Sequence, residues 1–526
     1  MSYFKIYYLF IILPLCIIIY NIIPKKFRYI YLLLASLAFF FFISNKLIII
    51  LLLTILSTYL SGVWMDKIDI KKDIALENAS SDEKKIIKEK YKRKKKFILI
   101  SCILFNLLFL IAFKYLKFFT VNINLLFDLL HINYNFKLIK LIAPIGISFW
   151  MLIAISYIID VYNNKIKAEK NILKLSLYIS FFARLIEGPI VRYSDSSESL
   201  FEGKKVTYDS LTKGYQRIIF GLFKKMVIAD RLNILVKIVF DNYLEYNGIS
   251  SFLAISAYMF MLYMEFSGTM DIVLGTADIF NIKIVENFRQ PFFAKNISEF
   301  WTRWHISLGT WFKDYIFYPI SLSKPIKRLT LNLRKVFGNH FGPLISGSVA
   351  LFIVWFLNGL WHGAGWTYLV FGMYHFLMIL LGNMVTPLII KVCSILHINR
   401  ENKIYRIFQS LKMTILVIIG ETFFRAPTLS VAFTMIKKIF TNFTLKSGEF
   451  MSLGLDKYDY IVLLISFIFI FIISLLKEKN IDVRKNISKK HIVLRWALYY
   501  ILILFIFILG AYGHGYVPVD PMYADF

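Results

Sequence analysis

The sequence predicts an all-α polytopic membrane protein. Three observations predict it. Of the 526 residues, 58% are hydrophobic, against about 45–50% in soluble domains even with glycine counted. Apolar stretches of about 20 residues, the length of a helical span, recur along the chain. No alternating apolar pattern of barrel length appears, which argues against a transmembrane barrel.

The apolar stretches lie at about 3–23, 28–43, 47–64, 97–113, 138–162, 173–191, 214–240, 250–267, 344–361, 366–390, 409–425, 459–476 and 492–513. The first resembles a signal peptide in hydropathy. No small-residue cleavage site follows it, so it reads as a retained span. Several stretches carry polar residues, so some are expected to be tilted or re-entrant.

Lysine and arginine set the orientation. The longest polar insert, 66–96, contains KKIIKEKYKRKKK and is expected in the cytoplasm. Both termini then fall outside, and PKKFR, SKPIKRLTLNLRK and LKEKNIDVRKNISKK fall inside. Lys437, Lys438 and Lys446 fit this scheme poorly, and an amphipathic surface helix would accommodate them. The insert reads first as an orientation signal. The sharper reading is a docking site for anionic lipid or an acidic partner.

The net charge of +29 sits in loops between spans. Membrane topology and lipid headgroups account for it, so nucleic acid is not expected as a partner. Cys16, Cys102 and Cys393 have no paired spacing, which gives neither a disulfide framework nor a zinc site. With no internal repeat, P-loop or soluble domain evident, 1–526 reads as one membrane-embedded domain.

Two segments carry candidate chemistry. In NGLWHGAGWTYLV (358–370), His362 lies between two tryptophans in a glycine-rich turn. An ionisable residue in an apolar stretch is a functional candidate, and imidazole suits proton transfer near neutral pH. The glycines would let a substrate approach the backbone. The plainer reading is an interfacial turn with a tryptophan belt.

The second segment, 287–320, interleaves aromatic and charged side chains. Glu299 and Arg303 are spaced to pair on one helix face. Trp304 and Trp311, seven apart, would share a face, with His305 about 100° around the helix. The segment reads as a helix lining a protein-enclosed cavity, or else as an amphipathic interfacial helix.

FWTRWHISLGTWFKDYIFYPI (300–320), followed by NGLWHGAGWTYLVFGMYH (358–375), resembles the membrane-bound O-acyltransferase superfamily. PIGISFWMLIAISYIIDVY (144–162), ARLIEGPIVRYSD (183–195) and FSGTMDIVLG (266–275) fit it too. Together they form an ordered core over 140–375. GPIVRY and GLWHGAGW are more similar to the alginate O-acetylation branch. The branch that transfers D-alanine toward teichoic acids tends to carry an acid at the position of Val191. The ISLSKPIKR run after Pro319 departs from the glycine-rich, basic turn of the alginate branch, which leaves the acceptor open.

The resemblance implies a fold of many transmembrane and re-entrant helices around a central cavity. It implies His362 and His305 as catalytic residues, with His362 the base. Trp304, Arg303, Trp301, Asp314, Trp361 and Asn358 are candidate substrate-lining residues. No metal and no tightly bound cofactor is expected. The acyl donor would be acetyl-CoA or an acyl-carrier thioester from a cytoplasmic donor protein. The expected partners are membrane lipid and an extracytoplasmic acyltransferase with a serine nucleophile. The expected location is a bacterial plasma membrane.

Other residues receive plainer readings. His375 is a lesser site-lining candidate. His131, His340, His397 and His491 read as segment ends or interfacial residues, and His514 as a residue near the external C-terminus, with contact to a partner as the sharper reading. Arg184, Glu187 and Arg192 flank GPI and read as holding a buried Arg–Glu pair, with a role in shaping an acyl tunnel as the alternative. Glu265 and Asp271 flank FSGTM in a similar way. The functions in contention are O-acylation of an exported polysaccharide, D-alanyl transfer from a carrier protein, and transport or lipid flipping.

Overall fold

A computed structural model describes residues 3–4, 7–77, 79–139, 141–444, 448–512 and 516. Lys446 and His514 lie outside the described residues. Among those described, every regular element is a helix. Eight helical stretches are long and apolar enough to cross a membrane: Lys25–Glu77, Ser81–Leu129, Gly248–Ile279, Lys324–His362, Trp366–Ile395, Lys403–Arg425, Lys457–Glu478 and Ile492–Leu509. Tyr8–Ile22 and Ile147–Tyr162 are apolar but shorter.

The chain divides into two compact units. The first contains Met1–Gly214 and Thr276–Val285. Its most regular feature is the pair α1 (Ile48–Glu77) and α2 (Ser81–Leu110). The expected polar insert is therefore not a loop. Asp66–Glu77 continues one helix and Ser81–Lys96 begins the next. Lys95 binds Asp69 at 2.5 Å and Asn164 at 2.9 Å. Deeper in the pair, Asn106 donates to the Ser57 hydroxyl at 3.2 Å.

One of the predicted spans ends early and another changes its helical geometry midway. In the first unit the stretch at 173–191 is α-helical only over Ile172–Ser180, followed by a short 3-10 turn, Phe182–Arg184, and irregular chain. There Arg184 is buried, lies 5.1 Å over the Tyr178 ring and donates to the Tyr178 carbonyl.

The second unit holds Tyr215–Gly275 and Glu286–Met522. Its stretch at 214–240 is interrupted by a π-helical turn, Phe223–Ala229. The physical reason is polar lining. Arg217 and Lys224 bind Asp271 at 2.9 and 2.6 Å, and Arg231 binds Asp459 at 2.8 Å. Buried charges persist in such settings only when paired.

Six helices position the candidate residues. They are α3 (Gly248–Ile279), α4 (Ile297–Arg303), α5 (Ile306–Phe312), α6 (Lys324–His362), α7 (Trp366–Ile395) and α8 (Lys403–Arg425). The basic segment at 323–335 is part of α6, which deviates from helical geometry at Gly338, φ 74°.

Candidate active site

The helix predicted over 287–320 is broken. Trp304 is extended, and His305 takes a left-handed φ of 46° as the residue before α5. Such a conformation is uncommon for a non-glycine residue and is held only by strong surrounding contacts. Asn287 supplies them. Its carbonyl accepts the Ile306 N–H at 3.0 Å, and its side-chain oxygen accepts the Ser307 N–H at 3.0 Å and the Ser307 hydroxyl at 2.9 Å. Arg289 N–H closes the other side on the Arg303 carbonyl at 2.9 Å.

The break changes the expected faces. Trp304 and Trp311 do not share one continuous helix. Trp304 instead enters an aromatic core, with ring centroids 5.1 Å from Phe288, 5.4 Å from Phe300 and 5.8 Å from Tyr263. The predicted Glu299–Arg303 pair is present at 2.8 Å, and Arg303 also binds Glu478 at 2.8 Å. Asp314 is half-buried in the π-helical turn Lys313–Phe317.

His305 is 2% exposed, and its Nδ1 lies 3.4 Å from the Asn287 side-chain oxygen. That atom is fixed as oxygen because it accepts a backbone N–H from Ser307. Nδ1 is therefore the protonated nitrogen and Nε2 carries the lone pair. Among the described residues Nε2 has no hydrogen-bond partner. Burial lowers the His305 imidazole to about 3, so the ring is neutral at physiological pH.

His362 is the last residue of α6, and Gly363–Gly365 lead into α7. The His362 and His305 ring centroids are 6.4 Å apart. Trp361 lies beside both, at 4.9 Å from His362 and 5.6 Å from His305. Phe266 closes on His305 at 4.9 Å, while Phe371 and Phe424 face His362 at 5.7 and 5.0 Å. Asn358 is buried one turn before His362, and its side-chain oxygen has no partner among the described residues.

Three glycines lie where two helices pack closely. A Cβ on Gly359 would lie 2.5 Å from the Tyr368 carbonyl, and one on Gly372 would run into the Trp355 carbonyl. Gly363 lies directly against the Tyr368 ring. They let α6 and α7 approach backbone to backbone, as small residues do between membrane helices. At Gly359 and Gly363 the group that meets the backbone is the protein's own Tyr368.

His375 is more central than its sequence position suggests. It is fully buried, and Trp301 donates its indole N–H to Nδ1 at 3.3 Å. Phe371 joins it to the His362 enclosure, 4.8 Å from His375. Gly420 of α8 packs on Nε2 of His375, and the neighbouring Glu421 is buried. Sequence reasoning passes over Asn287, Phe266, Phe371, Glu421 and Phe424. A buried-helix acid at Glu421 is the one available signal. The site thus unites His305, His362 and Trp361, with Asn358 adjacent, while Trp301 meets His375, and Trp304 and Arg303 serve other contacts.

Residues 165–419 match the family model described as MBOAT, membrane-bound O-acyltransferase family. A protein named probable alginate O-acetylase AlgI, from Pseudomonas syringae pv. tomato, is 29% identical over 82% of this chain and 74% of its own length. The peptidoglycan O-acetyltransferase of Helicobacter pylori is 33% identical over 53% of the chain and 54% of its own length. The teichoic acid D-alanyltransferase of Bacillus subtilis is 29% identical over 45% of the chain and 58% of its own length. The ordered motifs, the helical membrane architecture and these likenesses agree: the chain belongs to the membrane-bound O-acyltransferase family.

Proposed function

We propose that this O-acyltransferase passes an acetyl group from a cytoplasmic thioester across the membrane, for O-acylation of an exported or cell-surface polysaccharide. The observation that carries the reading is the meeting of His305 and His362, rings 6.4 Å apart, inside an aromatic enclosure. Likeness to an alginate O-acetylase and a peptidoglycan O-acetyltransferase supports the acetyl group and the polysaccharide.

His362 acts as the general base. Its neutral imidazole takes the proton of an acceptor hydroxyl as the oxygen forms its bond to the thioester carbonyl. The tetrahedral intermediate collapses, the C–S bond breaks, and the thiolate leaves with a proton returned from His362. His305 has a different part. Its Nδ1–H is turned toward Asn287, so Nε2 accepts a hydrogen bond from the incoming hydroxyl or from a donor amide and orients it. In this tautomer Nε2 cannot donate to an oxyanion. The acceptor is the serine of an extracytoplasmic partner acyltransferase, which passes the ester to the polysaccharide. Both termini face outward in this arrangement.

The test is chemical. Mild base releases ester-linked acids from envelopes of cells with and without the chain, and mass spectrometry identifies them. Acetate that depends on the chain supports the proposal. Chain-dependent D-alanine instead assigns the activity seen in the name of the Bacillus relative. Absence of any chain-dependent acid contradicts acylation of the envelope.

A further inference from the structure

We infer that the projecting start of α2 is a docking site for an acidic helix of a cytoplasmic protein. Lys84, Lys88, Lys92 and Lys96 follow one another at four-residue spacing along one face, with Lys85 beside them, and all five are exposed. Among the described residues none of the five is in an ion pair with a carboxylate. Like charges at this spacing destabilise a helix, each pair by a small amount. The helix keeps them although nearby acids are present. Glu83 is occupied in capping, with Ser80 N–H and Oγ donating to it at 2.9 and 2.8 Å.

The inner face of the same helix is neutralised. Lys95 is buried against Asp69, which also binds Lys72 at 2.8 Å. These contacts fix α2 on α1, so the outer lysines project from a supported element. The buried Lys95 has its partner, whereas the ladder and the exposed Lys90, Arg93 and Lys94 have no carboxylate partner among the described residues.

Geometry selects a protein over a lipid surface. The apolar run starts at Phe97, which is exposed as a lipid-facing residue would be. At about 1.5 Å per residue, Lys88 stands about 14 Å and Lys84 about 20 Å beyond it for an upright helix. The headgroup layer accounts for only about 5–8 Å of that distance. A typical tilt of about 20° shortens the projection little. Lys84 therefore lies more than one Debye length, about 8 Å, past the headgroups. Lys96 and Lys92 sit where lipid phosphates can reach them, Lys88 stands about one Debye length past the headgroups, and Lys84 stands clear of them. A rod of positive charges repeating about every 6 Å matches carboxylates at i, i+4 on a second helix.

The test uses the full chain in nanodiscs of neutral phosphatidylcholine. The probe is a fluorescent helical peptide with glutamate at every fourth position, and a glutamine counterpart serves as control. Anisotropy is expected to report binding of the glutamate peptide alone, weakened by added salt. The double variant Lys84→Glu/Lys88→Glu is expected to lose about tenfold or more in affinity, from two exposed ion pairs turned repulsive. Lys84→Gln/Lys88→Gln is expected to lose less, with an unchanged melting temperature showing that the fold is intact. Unaltered binding in both variants would overturn the inference. So would anionic lipid that abolishes binding by covering the ladder, or a single-stranded RNA that displaces the peptide with the same dependence on Lys84 and Lys88.

Discussion

The side-chain oxygen of Asn287 faces Nδ1 of His305 at 3.4 Å while holding the backbone N–H of Ser307. One side chain thus fixes both the helix break and the tautomer of the buried imidazole. Asn287→Leu removes both controls. Initial acyl-transfer rates are expected to fall roughly 10- to 100-fold, the scale of a misplaced catalytic group. Asn287→Asp, which keeps the acceptor oxygen, is expected to retain more activity than the leucine variant. Equal losses in the two would show that the oxygen is not what matters.

The neutral state of His305 has a consequence for stability. Its imidazole is held near 3 by burial, against about 6.5 in an unfolded chain. Between these values the unfolded chain binds more protons. The contribution to stability is full above pH about 6.5 and is lost as pH falls toward 3. Melting temperatures of wild type are expected to fall over this window. His305→Gln is expected to flatten that part of the profile. An identical slope in the variant would place the titration elsewhere.

Gly359 and Gly372 set the approach of α6 to α7. Gly359→Ala or Gly372→Ala forces a methyl group against a carbonyl and is expected to destabilise by about 1–3 kcal/mol. Gly382 lies on the same helix as Gly372, and a methyl group there would meet no described atom within 4 Å. Gly382→Ala therefore serves as the neutral control. Thermal unfolding in detergent reads the difference. A variant at Gly359 as stable as the control would refute the close helix contact.

Orientation is open to a direct check. Tags at the two termini are expected to be cut by an impermeant protease on intact cells, while a tag at the α1–α2 turn is protected. The inverse pattern would turn the cytoplasmic and external faces around, and with them the side from which an acyl donor arrives.

Helices, membrane residence and the ordered motifs are legible from hydropathy and spacing. The break at His305 is not. Periodicity runs smoothly through FWTRWHISL, and the reason for the break lies in Asn287, which meets it only in the folded chain. Faces drawn on a continuous helix therefore place Trp304 beside the wrong neighbours. The 214–240 span departs from expectation for a related reason. Arg217, Lys224 and Arg231 are tolerated because Asp271 and Asp459 meet them in space. His375 is underrated in the sequence because its indole partner, Trp301, is distant along the chain. The glycines at 359 and 363 signal close approach correctly, but sequence cannot say whether the approaching group belongs to substrate or protein.

The most direct measurement compares acyl transfer by wild type and His362→Ala at matched membrane levels. The variant is expected to insert and fold, and its rate of envelope ester formation is expected to fall by about 10²–10⁴-fold, the contribution of a general base. Ester formation at the wild-type rate would contradict the assignment of His362 as the base that activates the acceptor hydroxyl.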